Sequence, residues 1–136
     1  MAAAVLANRA KEIASPRLIV TSSGTSQWHV GESAHQLSEK TWKKAGYTHS
    51  HSARQFQPHH FDECDIILAM DLSNHVNILN LARSEGDRVK VALLRSFDPI
   101  ADSLEVPDPW GNEIDAYEEV LTMIERSVTG FLARLQ

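Results

Sequence analysis

The sequence predicts an α/β fold with a parallel sheet, and three observations carry that expectation. Short apolar runs of strand length, RLIVTS at 17 to 22, IILAM at 66 to 70 and VKVALL at 89 to 94, are bounded by Gly, Pro, Asp and Ser. Between and after them lie longer stretches whose apolar residues recur at helical spacing. Strands that alternate with helices pair in parallel through right-handed crossovers, because an antiparallel partner would need only a short hairpin. Three strands carrying four helices make a thin sheet, and the chain opens on a helix rather than on a strand.

Taken in order, residues 1 to 14 predict a helix, Ala-rich, with Val5, Leu6, Ala10 and Ile13 near one face and a stop at Ser15-Pro16. The run 17 to 22 follows as a buried strand ending in a Gly-containing loop. Ser33 and Gln36 have capping-box spacing and open a second helix through Ala45, closed by Gly46. Pro58 can start a short helical turn. Asp65 leads into the strand 66 to 70, and Asp71 at its carboxyl end suits the N-cap of a helix with Leu72, Val76 and Leu79 inside. The strand 89 to 94 runs into the loop RSFDP. In the last helix Tyr117, Val120, Leu121, Ile124, Val128, Phe131, Leu132 and Leu135 form one apolar face, with Asp115 and Glu118 as a second capping box.

Composition narrows the function. The 136 residues suit one domain, and 43% hydrophobic with 23% charged residues is ordinary for a globular chain. Acids outnumber bases 18 to 13, leaving a net charge of -5, so a nucleic-acid surface is not expected. Met1 to Ala7 lacks a basic n-region and is interrupted by Arg9, Lys11 and Glu12, unlike a signal peptide, and no apolar run approaches membrane-spanning length. A single cysteine, Cys64, excludes an intrachain disulfide and fits the reducing cytoplasm. His49, His51, His59 and His60 cluster in sequence without Cys or acidic ligands at a recognised spacing. His49, His59 and His60 therefore read as solvated loop residues, and neither a metal nor a cofactor is expected.

Four ordered segments carry a resemblance: SSGTSQWHVGE (22 to 32), HSHSARQFQPHHFDECDIILAMDLSN (49 to 74), VALLRSFDP (91 to 99) and VPDPWG (106 to 111). Together they resemble the low-molecular-weight protein-tyrosine phosphatases over nearly the whole chain. The resemblance implies a parallel sheet with helices on both faces and phosphate held at the carboxyl ends of the strands. It implies a two-step transfer in which a cysteine thiolate in a Cys-x5-Arg loop attacks phosphorus and an aspartic acid protonates the leaving phenol. That acid would be Asp108, held between Pro107 and Pro109. Trp28 and Trp110 would flank the cleft and stack on a phosphotyrosine ring, and His51 would support the phosphate loop from behind. On its own PDPWG reads as a rigid surface turn, and a core role for Trp28 is an equal alternative. Two departures stand out: Trp110-Gly111 replaces two tyrosines common after Asp-Pro, and Ser23 replaces an alanine.

The Cys-x5-Arg loop is not in this sequence. The family's first strand and loop precede a helix that this chain enters directly at Met1-Ala2, and Cys64 is followed six positions on by Met70 rather than arginine. Cys64 instead reads as a small buried hydrophobe whose pKa burial would raise. Since the lost strand is central in the family, its neighbours are expected to close up or to recruit another chain through exposed edges. The α-amino group would stand unfavourably at the positive end of the first helix. The expectation is one phosphatase-like domain over 1 to 136, incomplete at its N-terminus, acting on a phosphotyrosine protein or aryl phosphate only with that loop restored. The alternative is a non-catalytic phosphatase-like binding protein. Arsenate reduction is disfavoured because it needs resolving cysteines and only Cys64 is present.

Overall fold

A computed structural model of the chain describes residues 1–24, 36–50 and 54–136. The elements in order are helices α1 (Ala2–Ala10), α2 (Gln36–Lys44) and α3 (His60–Glu63), strand β1 (Ile67–Ala69), helices α4 (Leu72–Leu81) and α5 (Glu85–Arg88), strand β2 (Val91–Leu93), a 3₁₀ turn (Leu94–Phe97) and helix α6 (Ile114–Leu135). β1 and β2 are parallel, with Ile67 opposite Val91 and Ala69 opposite Leu93.

A strand buried on both faces reads as an uninterrupted apolar run, and the side chains of IILAM divide accordingly. Ile67 and Ala69 join Phe56, Phe61 and Ile78 in one apolar cluster, against which Cys64, Val91 and Leu93 pack. Leu68 and Met70 point the other way, onto the cluster of Val5, Leu94, Val106 and the inner face of α6. Helices therefore cover both faces of the sheet, as expected.

At Gly130 α6 and the 3₁₀ turn approach closely, since a Cβ there would lie 1.9 Å from the Phe97 carbonyl oxygen. Phe97 packs edge-on against Phe131 at 5.2 Å between ring centres. On the other flank α1 is tied to α6 by Arg9 Nη2 donating to Thr129 Oγ1 at 2.9 Å, and Tyr47 donates to Glu125 Oε2 at 2.6 Å.

Several boundaries differ from expectation. Helix α1 ends at Ala10, and the chain winds on through i→i+3 contacts at Lys11, Glu12 and Ile13, because the residue before a proline resists helical geometry. The run 17 to 22 is not a strand: among the described residues no backbone hydrogen bond joins 17–23 to β1, and a parallel bridge pairs Gly24 with Gln55. Leu18 still packs on the core, whereas Ile19 is 93% exposed. Asp115 and Glu118 do not cap α6, which starts after Glu113 without a side-chain cap. The short helix α5, capped by Ser84 Oγ accepting from the Asp87 amide, was not anticipated. Gly46 does end α2, at φ +94°, and Asp71 caps α4 by accepting from the Asn74 amide at 2.7 Å. Ser33 lies outside the described residues.

Candidate active site

The carboxyl ends of the strands are where a doubly wound sheet offers its backbone to a ligand. β1 ends at Ala69-Met70, and the Met70 carbonyl accepts the Val106 amide at 2.7 Å. β2 ends in the 3₁₀ turn, where Arg95 donates to the Glu105 carbonyl at 2.8 Å. Two consecutive residues, Glu105 and Val106, are thus fastened to the ends of both strands. The Glu105 carboxylate also accepts from the Leu72 amide at 3.4 Å, at the start of α4. Pro107 and Asp108 follow at once.

The PDPWG loop is built from two turns. Asp108 Oδ1 accepts the Trp110 amide at 3.0 Å, the aspartate turn its short side chain favours. The Pro109 carbonyl accepts the Asn112 amide at 3.0 Å with Gly111 at φ +86°, a left-handed position that suits glycine at the third residue of a turn. Asp108 and Trp110 both remain exposed, Trp110 at 69%. Tyr117, buried in the first turns of α6, has its phenol pushed up chiefly by burial and then by the Asp108 carboxylate. The sequence places Tyr117 only in the core; the eight residues between it and Asp108 give no signal of this proximity.

Of the other expected site residues, Trp28 and His51 lie outside the described residues. The segments that flank them do meet. The Gly24 amide donates to the Arg54 carbonyl and the Phe56 amide to the Gly24 carbonyl, both at 2.7 Å, and Arg54 Nε donates to Ser23 Oγ at 3.0 Å. Two of the resemblance-bearing segments are clasped together here.

Cys64 is half-buried beside the Phe56–Phe61 cluster, and burial is the main cause of its raised thiol pKa. It is suited to packing rather than to nucleophilic attack. The α-amino group of Met1 stands at the start of α1, where burial lowers its pKa to about 6.

The histidines need a correction. His60 is buried, not solvated, and its Nδ1 accepts the Gln57 amide at 2.9 Å. Burial, followed by the charge of Arg54, lowers its pKa, so the ring is neutral with its proton on Nε2. His59 and Glu63 bring ligand atoms within 4.8 Å of those of His60. A metal at His60 Nε2 would need the proton on Nδ1, which the Gln57 amide already occupies, so this group does not fit a metal. His49 is partly buried against Trp42, and burial lowers its pKa as well. Among the described residues no helix is long and apolar enough to cross a membrane.

The family described as low molecular weight phosphotyrosine protein phosphatase matches residues 1–136. A low molecular weight protein-tyrosine-phosphatase of Streptomyces coelicolor is 39% identical over 139 aligned residues, covering 100% of this chain and 85% of the relative. The low molecular weight protein-tyrosine phosphatase A of Mycobacterium tuberculosis is 36% identical, over 82% of this chain and 67% of its own. In structure, a protein tyrosine phosphatase from Entamoeba histolytica superposes at TM-score 0.91 with 25% identity, over 98% of this chain and 86% of its own. The sequence similarity and the shared fold place the chain in the low molecular weight protein-tyrosine phosphatase family.

Proposed function

We propose that this chain carries the proton-donor side of a phosphotyrosine phosphatase site and that its 136 residues, as they stand, do not hydrolyse phosphate esters. Asp108 is the general acid. In the first step it gives its proton to the phenolic oxygen as the P–O bond breaks and a cysteine thiolate takes the phosphoryl group; in the second it takes a proton from the attacking water. Trp110, and Trp28 from the neighbouring segment, form the aromatic walls that receive the phenyl ring, while His51 steadies the phosphate loop. The observation that supports this most is the fastening of Glu105 and Val106 to the ends of β1 and β2, which leaves Asp108 exposed beside the strand ends. The missing nucleophile supports the second half: Cys64 is the sole cysteine, with Met70 where the loop arginine would fall. An acid alone supplies roughly 10²- to 10⁴-fold and no covalent step.

The test compares the 136-residue chain with one extended at its N-terminus by a strand and Cys-x5-Arg loop of the kind the family resemblance implies. The short chain is expected to leave p-nitrophenyl phosphate at the uncatalysed rate, and the extended chain to hydrolyse it. Asp108→Asn in the extended chain should lower kcat by about 10²- to 10⁴-fold for phenyl phosphate and less for p-nitrophenyl phosphate, whose leaving group needs less protonation. Turnover by the short chain that disappears in Asp108→Ala would overturn the proposal. The second reading, a non-catalytic interaction protein of the cytoplasm that associates through open strand edges, draws on the exposed Ile19. An inactive extended chain that sediments as a dimer would favour it.

A further inference from the structure

Arg95 is 2% exposed, although it lies only two residues beyond the end of β2. One terminal nitrogen donates to the Glu105 carbonyl at 2.8 Å, and the other donates to Asp102 at 3.1 Å and stands 3.7 Å from Asp98. Asp98 has no exposed side-chain surface; it also accepts from Arg126 of α6 at 3.1 Å and from the Ile100 amide at 3.1 Å. Arg95 Nε has no partner among the described residues. The arrangement pairs two cations with two carboxylates, and a well-packed apolar side chain at 95 would avoid the desolvation that such a group costs. What an apolar side chain could not do is hold Glu105, because only a planar fork reaches a carbonyl and carboxylates at once.

We propose that Arg95 is a positioning residue for the acid loop: its guanidinium fixes Glu105-Val106 against the strand ends and thereby sets where Asp108 stands. Arg126 grips the same buried carboxylate, Asp98, without touching Glu105, so the two arginines separate loop positioning from plain stability. The inference rests on Asp108 being the acid only for its catalytic consequence; the staple itself is a matter of structure.

The experiment is hydrogen exchange by mass spectrometry on the full chain and on Arg95→Met, Arg95→Lys and Arg126→Met, with each variant's global stability measured by urea. In Arg95→Met, amides 105 to 111 should exchange about tenfold faster than the global change accounts for, the loss of one charge-assisted hydrogen bond. In Arg126→Met the same amides should follow the global change alone. Arg95→Lys keeps the charge and loses the fork, so the loop should again loosen; this variant decides the matter if Arg95→Met does not fold. Loop exchange that simply tracks global stability in the Arg95 variants, or that rises equally in Arg126→Met, overturns the proposal. In the extended, active chain Arg95→Lys should lower kcat for phenyl phosphate more than for p-nitrophenyl phosphate, with KM unchanged. A loosened loop without that leaving-group dependence would keep the staple and refute the role of Asp108.

Discussion

Gly130→Ala sets two effects of opposite sign against each other. In a helix interior alanine is favoured over glycine by about 1 kcal/mol, so propensity alone predicts a more stable protein. The added methyl, however, would sit 1.9 Å from the Phe97 carbonyl oxygen and 2.9 Å from its carbon, both backbone atoms that cannot rotate away. Relief requires α6 and the 3₁₀ turn to part by roughly 1 Å, loosening the Phe97–Phe131 contact and the packing of Leu94. Overpacking of this kind costs typically about 1–3 kcal/mol, and separating a packed seam adds lost dispersion along its length. After the propensity gain, net destabilisation should be about 1–3 kcal/mol, read as a lower urea midpoint at unchanged slope. A Gly130→Ala protein as stable as the parent or more so would refute the close approach. A looser 105–111 segment should accompany the loss, because Arg95 belongs to the same turn.

Other outcomes follow from the caps and the buried charges. Asp71→Ala removes the acceptor for both the Asn74 amide and its side-chain Nδ2, each at 2.7 Å, and should cost about 1 kcal/mol, or roughly 3–5 °C in Tm by calorimetry. The Met1 α-amino group falls from 8.0 to about 6 on folding, so the unfolded chain binds more protons between those values. Stability from this group is complete above pH 8 and lost as pH falls through 6, about 2–3 kcal/mol by urea titration, and acetylation of the α-amino group should abolish that dependence.

Elements whose signals are local were legible in the sequence. IILAM announced an apolar strand, Asp71 and Gly46 announced helix ends, and the period of α6 named its buried face. What failed depended on partners elsewhere in the chain. RLIVTS has strand composition, but a strand needs a ladder, and the pairing that follows it is the single bridge of Gly24 with Gln55. His60 looked like one member of a polar loop; its burial depends on Phe56 and on the Gln57 amide, which only the folded turn brings to it. Arg95 and Asp98 belong to the loop RSFDP in the sequence, and nothing in their spacing to Glu105 shows that a guanidinium would be enclosed against a carbonyl ten residues away. The exposed PDPWG turn was legible from its prolines and glycine, while the bond from the Trp110 amide to Asp108 and the nearness of Asp108 to Tyr117 were not.

The prolines on either side of Asp108 also act on the sheet. Val106 spends its amide on Met70, and neither Pro107 nor Pro109 has an N–H to offer. In an extended segment alternate amides face the same side, so with Val106 turned toward β1 the positions of Pro107 and Pro109 fall on the opposite, outer side. That outer margin has no donors, so a further strand finds nothing there to pair with. The Asp108 carboxylate, turned back only onto the Trp110 amide of its own turn, stays exposed.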